Sequence, residues 1–151
     1  MRTLVIASLL FELMGLSYHD RLNSDVVILG TLESMHREIS GVTERNTGTV
    51  RVSRVFAGDV KAGQTIEIFW TNRTDFACRV SHERLKDAEA LWFLKRTTSG
   101  PYDADNISRA LSLAPDELHN FVEYFQKRHG PADNAAEKAI YAWILERDEH
   151  H

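Results

Sequence analysis

The chain has 151 residues, of which 43% are hydrophobic and 26% charged, so it is about one domain long with enough apolar material for a core. Its formal charge of −4 sits in the C-terminal part: residues 25–114 carry 12 basic and 12 acidic side chains, residues 115–151 carry 4 and 8. A neutral body with an acidic tail lacks the clustered Lys and Arg that a phosphate backbone requires, which argues against nucleic acid as a partner.

At the N-terminus, Met1-Arg2 precedes the apolar run Thr3 to Phe11, and the small-x-small pair Gly15 and Ser17 follows. This order fits a secretory signal over residues 1–17, although Glu12 is discordant inside an apolar stretch. The run is short for a membrane span, so no stable membrane insertion is expected after its removal. The expected location is then periplasmic or extracellular. If the run is retained as an N-terminal helix or strand packed on the core, the protein is cytoplasmic.

Residues 18–112 read as a β-rich domain. Asp25 to Glu33 is β-branched and apolar, and Gly30 within it marks a bulge or sharp bend. Glu38 to Asn46 is polar and reads as a loop or weakly paired turn. In Thr47 to Phe56, Val50, Val52 and Phe56 fall on one side and Arg51 and Ser53 on the other. Gly58 to Gly63 is turn material, and Gln64 to Trp70 alternates again with Ile66, Ile68 and Trp70 inward. Thr71 to His82 is irregular. Glu89 to Lys95 is a short apolar run, expected as a strand buried on both faces. Short strands separated by bulge and turn residues suggest a small barrel or sandwich rather than a βαβ fold.

The order of these segments resembles a known family. Asn23-Ser24-Asp25-Val26-Val27-Ile28 is similar to the first strand of tissue inhibitor of metalloproteinase and netrin-type domains. Val50-Arg51-Val52-Ser53-Arg54-Val55-Phe56-Ala57-Gly58-Asp59 resembles the strand and turn those domains and their bacterial relatives place next. Ile66-Glu67-Ile68, Cys78 and Leu91-Trp92-Phe93-Leu94 follow in the family's order, so about half the chain is covered. The resemblance implies a mainly β fold, a small OB-like β-barrel, here followed by a C-terminal α-helical hairpin. It does not imply the inhibitory activity. Those inhibitors reach the protease zinc through a mature N-terminal Cys, and Cys78 is the only cysteine here.

Residues 113–151 form the tail. Pro115, Asp116 and Glu117 open a helix whose apolar face is Leu118, Phe121, Val122 and Phe125, with Gly130-Pro131 as its stop. A second helix starts near Asp133 or Asn134, where Asn134 and Glu137 could form a capping box, and its stripe is Ala136, Ala139, Ile140, Trp143 and Ile144. Helices this short need burial, so the expectation is packing on the barrel; the alternative is a partner contact through Phe121, Phe125 and Trp143.

Chemistry-bearing residues are sparse. Cys78 and His82 are four apart, a spacing that would pair a nucleophile with a base on a helix, but the segment does not read as one. The seven histidines form no His-x3-His pair and no zinc-protease motif, and the terminal His150-His151 pair reads as a frayed end. No metal site and no cofactor are expected. Trp70, Phe76, Trp92 and Tyr102 could make an aromatic platform, but Trp70 and Trp92 fall at inward positions. Phe76, in a loop with Arg73 and Arg79, is the aromatic expected at the surface. The sequons Asn72-Arg73-Thr74 and Asn106-Ile107-Ser108 act only in a eukaryotic secretory route. The sequence therefore points to a non-enzymatic exported binding or interaction protein with a protein partner. Its expected contact residues are Arg73, Phe76 and Arg79, with Phe121, Phe125 and Trp143 as a second group. Two alternatives stand beside it: a thiol enzyme using Cys78 and His82, and a cytosolic nucleic-acid-binding OB domain. The oligomeric state is open.

Overall fold

β-Branched runs need partners on both edges, and the first strand finds them. The computed structural model describes residues 16–76, 78–127 and 134–149. After a short helix α1 (Tyr18–Leu22), strand β1 (Val26–Ser40) forms a long hairpin with β2 (Thr43–Ala57), and β2 pairs with β3 (Thr65–Arg73). The first half of β1 also pairs with β4 (Glu89–Leu94). β5 (Tyr102–Asp103) runs parallel to β3, and β6 (Ala110–Ser112) lies beyond β4, giving the order β5-β3-β2-β1-β4-β6. The protein is thus mainly β, with one six-stranded sheet and two C-terminal helices, α2 (Pro115–Lys127) and α3 (Ala135–Glu149). The sheet is not closed. One isolated bridge joins Lys95, just past β4, to Asp103 of β5 through N–H to C=O bonds in both directions.

The shared segment of the sheet is buried on both faces. Val26, Ile28, Trp92 and Leu94 join Val50, Val52, Ile66, Ile68 and Trp70 in one core cluster. Val27, Leu29, Leu91 and Phe93 face a second cluster built with Phe121, Ile140, Trp143 and Ile144 of the helices. This explains why the start of β1, Val26 to Leu29, and β4 read as unbroken apolar runs, whereas β2 and β3 alternate. The helices therefore pack on the sheet, and Phe121 and Trp143 are core residues. Phe121 meets Tyr18 edge-on, Trp143 packs on Phe56, and Phe125 stacks on Tyr141. Asn134 caps α3 by accepting the Glu137 N–H at 2.8 Å.

Two expectations are corrected. Glu38 to Asn46 is not a loop: both strands continue through it to a turn at Gly41, whose φ of 60° suits glycine. Its inward positions are polar, with Arg37 donating to Asn46 and ion-paired to Glu44, so no apolar alternation betrays the hairpin. Phe56 does not share a face with Val50 and Val52. The register slips at Ser53, which lies between Val52 opposite Gly30 and Arg54 opposite Leu29, and the phase of the strand reverses beyond it. Of the expected signal sequence, residues 1–15 lie outside the described residues, as do Gly130-Pro131 and His150-His151. Leu16 and Ser17 belong to the folded body: the Leu16 N–H bonds to Ser108 Oγ, and Ser17 Oγ accepts from Asp20 N–H to cap α1.

Gly30 sits at the bulge where β1 crosses β2. A Cβ there would come within 2.7 Å of Val50 Cγ1 and 2.8 Å of the Arg51 carbonyl oxygen. Gly30→Ala should lower unfolding stability by about 2 kcal/mol, read as a fall in the urea midpoint with an unchanged slope. An unchanged midpoint would contradict this close approach.

Candidate functional site

Where β3 leaves the sheet, two segments distant in sequence meet. Beyond β3 the chain is tied back at Val80 by Asn72: its Oδ1 accepts the Val80 N–H at 2.7 Å and its Nδ2 donates to the Val80 carbonyl at 2.9 Å. Residues 105–107 approach from beyond β5. Asp105 takes the Thr71 N–H at 2.9 Å and the Thr71 hydroxyl at 2.7 Å, so a carboxylate stands where the next strand partner would be. The Asn106 side chain accepts the Ser108 N–H and turns the chain at Ile107. Between these segments runs a groove of about 580 Å³ lined by Arg73, Phe76, Cys78, Arg79, Val80 and Ile107, with Asn72 and Asp105 beside them.

A buried carboxylate holds the wall of this groove. Glu44 is 1% exposed. Arg37 Nε lies 2.5 Å from its Oε1, and Arg79 Nη2 lies 2.7 Å from its Oε2 while donating to Oε1 at 3.0 Å. Oε2 is therefore held by charge rather than by a directed bond. Arg37 also reaches Glu83 at 3.4 Å. At the rim, Arg73 makes a two-point bond to the exposed Asp75, which raises its own pKa and lowers that of Asp75.

The structure brings Arg73, Phe76 and Arg79 together on one groove, as neighbours of one loop. It places Phe121, Phe125 and Trp143 elsewhere, in the helical layer, with Phe121 and Trp143 buried there. Cys78 and His82 are not assembled as a pair. Cys78 is exposed on the groove, whereas His82 is buried with its Nε2 2.8 Å from the Ala104 carbonyl. Its ring meets those of Trp70 and Trp92 at 5.2 and 5.5 Å, both near-perpendicular. Trp70 and Trp92 are core, as their inward strand positions imply, and are not available for an aromatic platform. The Asn72 sequon is closed to glycosylation in the folded state, since both ends of its buried amide are in use.

The sequence reading missed Ile39, Val42 and Ile107. With Phe76 they are four of the five large hydrophobic side chains exposed among the described residues, and all belong to this end of the sheet. Val42 is tied there by its carbonyl, which accepts the Thr74 N–H at 2.8 Å. Phe76 and Ile107 are 54% and 45% exposed in the groove itself. A single exposed Ile beside a turn carries no signal until its neighbours are known. The chain matches no protein-family model and no curated protein.

Burial pushes the His82 imidazole below its ordinary range, against the opposing pull of the Ala104 carbonyl. Its contribution to stability is level where both folded and unfolded forms are neutral. It becomes unfavourable as pH falls below about 6.5, where the unfolded chain takes up the proton first, and levels off once the folded ring titrates. Between pH 7.5 and 5.5 the urea midpoint should therefore fall further for the wild type than for His82→Gln. Parallel curves would contradict the assignment.

Proposed function

We propose that this chain is a non-enzymatic, exported binding or interaction protein on an OB-like scaffold related to tissue inhibitor of metalloproteinase and netrin-type domains. Its partner surface is the groove end of the sheet. The observation that carries this reading is the exposure of Phe76 and Ile107 in a groove lined by Arg73 and Arg79, at the end of the sheet where the hairpin tip also exposes Ile39 and Val42. Aromatic and Arg side chains beside exposed apolar groups are what partner-binding patches are made of. The scaffold reading is supported by a first strand shared between β2 and β4, by the parallel contact of β3 with β5, and by the single bridge from Lys95 to Asp103. OB barrels are themselves partly open. Protease inhibition is not part of the proposal, for want of an N-terminal Cys.

The thiol-enzyme alternative is not favoured, because the nearest base by sequence, His82, is spent on the Ala104 carbonyl inside the core. Nucleic acid is not favoured by a body whose charges cancel. No helix among the described residues is long and apolar enough to cross a membrane. Export would follow removal of the apolar start. Cleavage ahead of Leu16 leaves the Ser17 cap of α1 in place, whereas a chain beginning at Tyr18 loses it.

A photoreactive phenylalanine analogue at position 76, with position 145 on α3 as the exposed control, tests this in the native cell. A discrete adduct is expected from position 76 and none from 145, with an intact mass lacking the apolar start. Equal adducts from both positions, or none, would overturn the partner surface. A retained Met1 would overturn export.

A further inference from the structure

The groove is chemically lopsided. Its lining holds two guanidinium groups, Arg73 and Arg79, and one carboxylate, Asp105, whose two oxygens are both taken by Thr71. The acids that pair the two arginines stand outside the lining: Asp75 on the exposed side and Glu44 beneath. Arg73 spends Nε and one Nη2 hydrogen on Asp75, and Arg79 spends Nη2 on Glu44. Among the described residues Nη1 of Arg73, and Nε and Nη1 of Arg79, have no partner. Both side chains are still substantially solvated, at 60% and 38% exposure. Phe76, Val80 and Ile107 supply the apolar part of the same lining.

We infer that the groove receives a segment of a protein partner that sets an apolar side chain beside a carboxylate. The apolar group lies against Phe76 and Ile107, and the carboxylate takes the spare N–H groups of Arg73 and Arg79. A basic segment is disfavoured because two guanidinium groups outnumber the one carboxylate in the lining. The volume, about 580 Å³, lies in the range of sites that enclose a few side chains. Planar guanidinium donors match a carboxylate in a way that a point charge does not. This inference rests on the partner-surface reading above and adds the chemistry of what is bound.

N-acetyl-L-phenylalaninate and its neutral twin, N-acetyl-L-phenylalaninamide, serve as probes in an amide-resolved NMR titration of the full chain. The carboxylate should shift resonances of residues 71–80 and 105–107. The amide should bind about fivefold more weakly, the worth of one solvated charge-assisted contact. Arg73→Gln, which leaves the Glu44 ion pairs and Arg79 intact, should narrow the difference between the two probes. Equal affinity for the two probes, or no shift with either, would overturn the inference. If the cross-link from position 76 survives that result, the partner surface stands and only the ligand chemistry fails.

Discussion

A carboxylate removed from water must be answered by positive charge, and the groove end of this protein is arranged around that requirement at Glu44. Left alone, such a group would cost several kcal/mol, even allowing for relaxation of its surroundings. Two arginines answer it from different parts of the chain. Arg37 comes across the β1–β2 hairpin, and Arg79 comes from the loop that follows β3. The hairpin therefore cannot splay, and the loop cannot lift, without leaving the buried charge half answered. Asn72 adds a second tie one residue from Arg79, and together they hold the groove wall.

The rest of the molecule is stabilised differently. The first half of β1 and the whole of β4 are buried on both faces, with the inner residues of β2 and β3 on one side and α1, α2 and α3 on the other. His82 belongs to this rigid region: its ring is enclosed by Trp70 and Trp92, and its hydrogen bond positions Ala104, next to the second wall of the groove. A double-sided apolar core thus carries a polar, partly solvated end. Loops presented by a rigid scaffold are where recognition concentrates in many folds, and the exposed apolar side chains here follow the same division.

Much of the scaffold was legible in local pattern. Alternation at Ile66, Ile68 and Trp70 marked β3, the unbroken run Leu91 to Leu94 marked a doubly buried strand, and Pro115 and Asn134 marked the helix starts. Gly30 announced its bulge because only a missing Cβ lets β1 approach Val50 and Arg51 so closely. The hairpin from Glu38 to Asn46 was illegible because its inner face is answered by ion pairs rather than by apolar contacts. Phe56 was placed on the wrong face because one extra residue at Ser53 reverses the period, and nothing about that serine says so. Half of the groove was visible as Arg73, Phe76 and Arg79. The other half comes from residues 105–107, and only the tertiary pairing of Thr71 with Asp105 brings it near.

The claim that Glu44 holds the groove wall through Arg79 is tested most directly by a double-mutant cycle on Glu44→Gln and Arg79→Gln, measured by urea unfolding. With one partner buried and the other half in water, the coupling should be about 1–2 kcal/mol. Amide exchange at Val80 and Ser81 should accelerate in either single variant and no further in the double. Additive single effects, with exchange at those amides unchanged, would contradict the account.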